Sequence, residues 1–145
     1  MTSYIRAATP DDVDAIFAVR TSVTENLLTL AQLTEMGITK ASVTRMIAES
    51  SCAWVAMEDD KVVGFSMIDG ESGSLFAAFI LPAHAGKGLG KALVRVAEDA
   101  LFQRHQVIWL ETGKTTRAAG FYRHLGWGRE TEITACDIRL EKSRR

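Results

Sequence analysis

The sequence predicts a single α/β domain of mixed topology, and three observations carry that prediction. Apolar residues recur at helical spacing in some segments and in strand-like runs in others, so both element types are present. A near-continuous apolar run, 74–81, leads through a glycine-rich turn into a long amphipathic segment, which is a strand-to-helix connection. No repeat or linker divides the 145 residues, and a chain of that length can bury about 70% of its unfolded surface in one core.

The elements follow in order. Residues 4–7 form a short first strand. Thr9-Pro10-Asp11-Asp12 reads as a helix start: Thr9 can cap, Pro10 suits the first helical position, and the acids favour the positive end of the dipole. Val13, Ile16, Phe17 and Arg20 share that helix's face. In 21–39, Leu27, Leu30 and Ala31 fit a second helix that Gly37 ends. Thr39 caps a third, with Val43, Met46 and Ile47 on its apolar face. Strands over 52–57 and 62–68 flank the polar turn Glu58-Asp59-Asp60-Lys61 and make a hairpin.

After a second turn at 69–73, the run 74–81 is a third strand of this group, stopped by Pro82 and apolar enough to be buried on both faces. Leu89, Leu93, Val96, Ala97, Ala100 and Leu101 then mark a strong amphipathic helix. A strand at 107–111, a helix at 116–125, a turn at Gly126-Trp127-Gly128 and a last strand at 134–140 complete the pattern. The charged stretch 141–145 is expected as a tail.

Composition excludes several classes. The 17 basic and 18 acidic side chains give a formal charge of -1, without the basic excess of a generic nucleic-acid binder. The longest purely apolar run, 75–81, is far short of the roughly 20 residues a spanning helix needs. The first residues lack the apolar core of a secretory signal. Cys52 and Cys136 are expected as reduced core thiols of a cytoplasmic protein, with no membrane partner. Two cysteines cannot make a four-thiolate site, and His84, His105 and His124 lack helical metal spacing, so no metal is expected.

Chemistry concentrates where the strand 74–81 meets the long helix, at Ala85-Gly86-Lys87-Gly88-Leu89-Gly90-Lys91. A strand-to-helix turn points unpaired N–H groups outward. Glycines let an anion approach that backbone, and Lys87 and Lys91 add charge. This reads as a phosphate cradle, the alternative being a glycine-rich turn that merely packs a helix on a sheet. It is not a dinucleotide fingerprint, because its spacing is G-x-G-x-G. Nor is it a P-loop, because Ala85 stands at the required glycine and Ala92 follows Gly90-Lys91.

Two motifs together resemble the GNAT superfamily of acyl-CoA-dependent N-acetyltransferases. Its signature is a strand ending V-x-P, then [QR]-x-x-G-x-[GA]; here Ile80-Leu81-Pro82 is followed by Ala85 through Gly90. Its second landmark, N-x-x-A-x-x-F-Y-x-x-x-G-[FW], corresponds to the segment from Thr115 to Trp127, with Ala118, Phe121, Tyr122 and Gly126 in place. The resemblance spans the chain. It implies a mixed, mostly antiparallel sheet splayed between 74–81 and 107–111, with acetyl-CoA in the opening. Pantetheine would pair with the backbone of Phe79 and Ile80, and the Ile80 amide would polarise the thioester carbonyl. The pyrophosphate would rest on the amides of 86–90.

The resemblance also implies that Tyr122 serves the departing thiolate as acid or hydrogen-bond donor. Transfer would be direct, without an acyl-enzyme, so neither cysteine is a nucleophile. Glu111, at the end of its strand, is the first candidate for the base, and Glu25 a weaker one. The family's Arg or Gln is replaced by Ala85 and its Asn by Thr115. Lys87, Lys91, Lys114 or Arg117 would offset the lost charge, or else be solvated. His84 is expected in turn packing or at a ligand edge, and Trp54, Trp109 and Trp127 in the core.

The acceptor expected from the resemblance is a primary amine, a small molecule by base rate within the family. A homodimer is open, since the sequence assigns no interface. A non-catalytic acyl-CoA-binding module of the same fold, and a nucleotide-binding protein, are the alternatives.

Overall fold

The computed structural model describes residues 3–23 and 28–144. Its elements are β1 (Ser3–Ala7), α1 (Val13–Arg20), α2 (Leu30–Glu35), α3 (Lys40–Glu49), β2 (Ala53–Glu58), β3 (Lys61–Asp69), β4 (Ser74–Ile80), α4 (Leu89–Phe102), β5 (Val107–Gly113), α5 (Arg117–His124), β6 (Gly128–Glu132) and β7 (Asp137–Ser143). Seven strands form one sheet in the order β1-β2-β3-β4-β5-β7-β6. Every neighbouring pair is antiparallel except β4 and β5. The α/β class and the mixed, mostly antiparallel sheet are as expected.

Local chemistry explains the helix starts. Thr29 accepts from the Gln32 N–H at 3.1 Å while Gln32 returns a bond to the Thr29 N–H at 2.8 Å. Thr39 and Ser42 repeat this reciprocal cap at the start of α3. Thr9 is the first N-cap and Pro10 opens the turn after it, as expected. Asp12 ends a short 3-10 turn and accepts from the Thr9 N–H at 2.8 Å. Its carboxylate also takes both terminal nitrogens of Arg6, which holds its pKa below the ordinary carboxylate value. Leu27 lies outside the described residues; α2 begins at Leu30, and Gly37 follows it with φ +80°.

The two faces of the sheet are covered differently. Ser66 Oγ donates to the Leu93 carbonyl at 3.0 Å, so its face packs on α4. Phe65 points to the opposite face, where it meets Phe79 and where Arg20 of α1 lies 4.3 Å from the Phe79 ring centroid. In the far half, Lys142 reaches Glu98 of α4 and stands opposite Ile108. Alternation therefore puts Ile108, Leu110, Ile138 and Leu140 on the α4 face, all buried. Trp109, Glu111, Arg139 and Glu141 share the α1 face.

Four expectations are corrected. Residues 128–132 form an edge strand that the turn residues and charges concealed, because its side chains are almost all exposed and carry no alternation. β7 runs to Ser143, into the supposed tail, because pairing with β5 buries its backbone. β4 is not buried on both faces: Phe76 is 49% exposed and 77–80 are half-buried. The cause is the loss of a neighbour, since β4 meets β5 only at Ser74↔Trp109. Cys136 is exposed rather than in the core, while Cys52 is buried and its thiol pKa is pushed up by burial.

One polar cluster ties the far half together. Glu98 is 3% exposed and accepts from Trp127 Nε1 at 3.0 Å and from Lys142 Nζ at 2.9 Å. Lys142 also donates to the Leu125 carbonyl at 2.8 Å. Removing the carboxylate would strand a buried ammonium and an indole N–H. We expect Glu98→Ala to cost about 3–5 kcal/mol in denaturant unfolding. A loss below about 1 kcal/mol would show that the cluster is not a structural tie.

Candidate active site

β4 and β5 part immediately after they meet. Their single paired position is Ser74↔Trp109, joined by a bond from the Trp109 N–H to the Gly73 carbonyl at 3.1 Å. A bulge in β4 aids the divergence. Leu75 pairs with Ile68 and Ala77 with Met67, so Phe76 is an extra residue that bends and twists the strand.

Backbone alternation shows which groups face the opening. The Leu81 N–H donates to the Val63 carbonyl at 2.8 Å, and Phe79 stands opposite Phe65. Phe79 therefore spends both backbone groups on β3, while those of Ala78 and Ile80 point to the side that β5 has left. The expectation of backbone groups from Phe79 and Ile80 thus divides. The Ile80 backbone groups lie on the free edge, and those of Phe79 are taken by β3. Gly64, opposite Ile80, makes the close approach possible: a Cβ there would lie 2.3 Å from Ile80 Cδ1 and 2.8 Å from the Phe79 carbonyl.

The turn beyond β4 has the form of an anion cradle. Gly86 and Gly88 have φ of +80° and +83°, and Gly88 is the N-cap of α4 without a side-chain cap. A Cβ at either would meet nothing within 4 Å, so backbone conformation rather than crowding calls for glycine. The first-turn N–H groups of Leu89, Gly90 and Lys91 have no carbonyl one turn back. A Cβ on Gly90 would touch Ile80 Cγ1 and Phe121 Cζ, each at 3.7 Å. The end of β4, the start of α4 and the Phe121-Tyr122 pair therefore converge. This donor set fits a pyrophosphate.

Lys87 does not face that cradle freely. Its ammonium sits 2.7 Å from Glu58 Oε1, and His84 Nδ1 lies 3.0 Å from Glu58 Oε2. Glu58 is the buried last residue of β2, not a turn residue as expected, and Lys87 followed by His84 holds its pKa below the ordinary value. Sequence gave no sign of this cluster, because its members lie 26 and 29 residues apart. Lys114 is likewise engaged, by Glu132. Lys91 and Ala85 are exposed, and so is Thr115, in the turn before α5. Lys91 pairs with no described residue.

Tyr122 is 7% exposed, with ring centroids 5.6 Å from Phe121 and 6.1 Å from Trp127. Burial pushes its phenol pKa up to about 12. A cysteine-like thiol has a pKa near 8.5, so full proton transfer from this phenol to a thiolate is uphill by about 5 kcal/mol. Donation of a hydrogen bond carries no such penalty. The Tyr122 carbonyl accepts from the Trp127 N–H at 3.1 Å, so the Glu98 cluster also anchors this end of α5.

Glu111 is exposed and lies on the α1 face, so the sheet separates it from Tyr122. Glu25 lies outside the described residues. Trp54 is half-buried, Trp127 is in the core, and Trp109 floors the opening, with its indole N–H on the Ser72 carbonyl at 2.9 Å. His105 binds the Gly70 carbonyl, and His124 is exposed at the end of α5. Among the described residues no cluster of His, Cys, Asp or Glu could hold a metal, and no helix is long and apolar enough to cross a membrane. Two shallow depressions, about 310 and 420 Å³, lie beside Lys142 and Ser143 and contain none of the predicted site residues.

The model of the acetyltransferase (GNAT) family matches residues 21–127, which include the cradle, Glu111 and Tyr122. The chain belongs to this family. Its fold is shared by PaiA N-acetyltransferase from Thermoplasma acidophilum, solved with coenzyme A. That likeness has a TM-score of 0.80 and 18% identity, and covers 99% of this chain and 100% of the other. Ard1 from Thermoplasma volcanium matches at TM-score 0.76 and 16% identity, over 100% and 99% of the two chains. YncA, a putative acetyltransferase from Salmonella typhimurium solved with acetyl-CoA, matches at TM-score 0.73 and 17% identity, over 99% and 94%. Among curated protein sequences none matches.

Two outcomes check the cradle. Gly88→Val should weaken acetyl-CoA binding at least tenfold in a calorimetric titration, with a strain cost of about 1–3 kcal/mol in unfolding. Unchanged affinity in the folded variant would remove the cradle. Glu58 has a lowered folded pKa, so its contribution is present above the unfolded carboxylate pKa and lost as pH falls through the folded value. Glu58→Gln should therefore be less stable than wild type at pH 7, with the gap closing in acid. A gap independent of pH would contradict the ion pairs.

Proposed function

We propose that this protein is an N-acetyltransferase that moves an acetyl group directly from acetyl-CoA to a primary amine within a ternary complex. The observation that supports this most strongly is the outward-facing Ile80 amide, beside both the glycine cradle and the Phe121-Tyr122 pair. Pantetheine would lie along the freed edge of β4, using the backbone of Ala78 and Ile80. Its pyrophosphate would take the amides of 86–90, with Lys91 nearby and the Ala85 and Thr115 positions contributing backbone and a hydroxyl. The Ile80 N–H would meet the thioester oxygen as negative charge develops there.

The two faces of the sheet divide the chemistry. Glu111 stands on the α1 face, where the acceptor enters, and receives the ammonium proton directly or through water. The neutral amine attacks the thioester carbon. As the C–S bond breaks, its electron pair leaves on the CoA sulfur, towards the Tyr122 side, and the surplus proton on the acylated nitrogen passes to water on the open α1 face. With its pKa near 12, the Tyr122 phenol remains protonated throughout the working range and stabilises this thiolate by hydrogen bonding. Cys52 and Cys136 have no part. The acceptor of this reading is a small molecule, met in the cytoplasm.

A panel of amines screened for release of free CoA thiol tests this function. Acceptor-dependent thiol release is the expected result. Tight acetyl-CoA binding without release from any amine would favour a binding module instead. In an active pairing, Tyr122→Phe should lower kcat on the order of 100-fold, with little change in the acetyl-CoA KM. Wild type should show no loss of activity from phenol ionisation below about pH 11. An unchanged kcat in the variant would end the role of Tyr122.

A further inference from the structure

The α1 face of the opening holds an arginine that the proposed transfer leaves unused. Arg139 stands directly opposite Glu111 in the β5–β7 register. Facing Arg and Glu side chains across antiparallel strands ordinarily pair, yet these two make no ion pair. Arg139 leans instead over the Trp109 ring, with its guanidinium carbon 4.2 Å from the centroid. Trp109 is itself fixed by its indole bond to the Ser72 carbonyl and by the backbone bond to Gly73. The guanidinium thus rests on a rigid platform where β4 and β5 separate.

Its remaining neighbours leave the fork available. Nε is buried and has no hydrogen-bond partner; its one ion pair is a loose one, with Glu141 Oε2 3.6 Å away. Glu141 is shared with Arg129 at 3.9 Å. The side chain as a whole is 38% exposed, and it makes no hydrogen bond with any described residue. The terminal nitrogens, set over the Trp109 ring in the planar guanidinium, form a fork of the kind that receives a carboxylate or phosphate in two parallel bonds. Trp109, over which the guanidinium sits, is two residues back from Glu111 on the same face, about 7 Å along the strand.

We infer that Arg139 on its Trp109 platform is an acceptor-recognition site, and that the preferred acceptor amine carries an anionic group, a carboxylate or phosphate, within a few bonds of its nitrogen. The amine would be delivered to Glu111 while the anion engages Arg139. Splitting the cross-strand pair leaves Glu111 for the amine, while Arg139, held loosely by Glu141 through Nε, keeps its terminal nitrogens for the anion. Diamines and polyamines would meet Arg139 with the wrong sign. This rests on the acetyltransfer reading of the opening, and it commits the acceptor class that reading leaves open.

Matched acceptors test it: β-alanine against β-alaninamide for a carboxylate, O-phosphoethanolamine against ethanolamine for a phosphate, and putrescine as a dication. Wild type should favour the anionic member of at least one pair by about tenfold or more in kcat/KM, the scale of one charge-assisted hydrogen bond. Arg139→Met, which keeps the stem on Trp109, should reduce that ratio to near one. Arg139→Lys should fall between, because it keeps the charge and loses the fork. The pair that shows the preference names the anion. Equal or greater turnover of uncharged members or putrescine by wild type, or a ratio unchanged in Arg139→Met, would overturn the inference.

Calorimetry on the CoA-loaded protein separates this from failure of the transfer itself. An anionic member that binds wild type and not Arg139→Met supports the site even where no thiol is released. No binding preference for either anionic member would overturn it.

Discussion

The structure depends on one interruption: β4 and β5 pair at Ser74 and Trp109 and then separate. A continuous parallel pair would have consumed the outward backbone groups of Ala78 and Ile80. The extra residue Phe76 bends β4 away, and beyond it the strand trades burial for a free edge. That trade explains why an apolar run is only half-buried. It also explains why polar backbone in the middle of a sheet can be offered to a ligand.

A gap in a sheet must be held open from outside. On the β4 side, α1 packs through Arg20 on Phe79, and Glu58 at the end of β2 reaches His84 and Lys87 in the turn below the cradle. On the β5 side, Glu98 gathers Trp127 and Lys142, which places α5 and Tyr122 against α4. Two buried carboxylates therefore brace the two walls. Their interactions link residues 26 to 44 positions apart in sequence.

That separation is why part of the molecule was legible in the sequence and part was not. The helices were readable because caps such as Thr39 and the 3.6-residue spacing of α4 are local signals. The cradle was readable because positive φ at Gly86 and Gly88 needs glycine. Glu58 and Lys87 misled because one reads as a turn residue and the other as charge for the cradle, and only folding brings them together. β6 was hidden because an exposed edge strand needs no apolar alternation. Arg139 and Glu111 are cross-strand neighbours from a register that no spacing in the sequence announces.

In the proposed function, acetyl-CoA covers the free edge of β4 and the first turn of α4. Residue-resolved amide hydrogen exchange, with and without acetyl-CoA, measures that directly. Slowed exchange at Ile80 and at Gly88, Leu89 and Gly90, with β1 and β2 unaffected, is the predicted result. Unchanged exchange at Ile80 and the glycine turn in protein saturated with acetyl-CoA would contradict it.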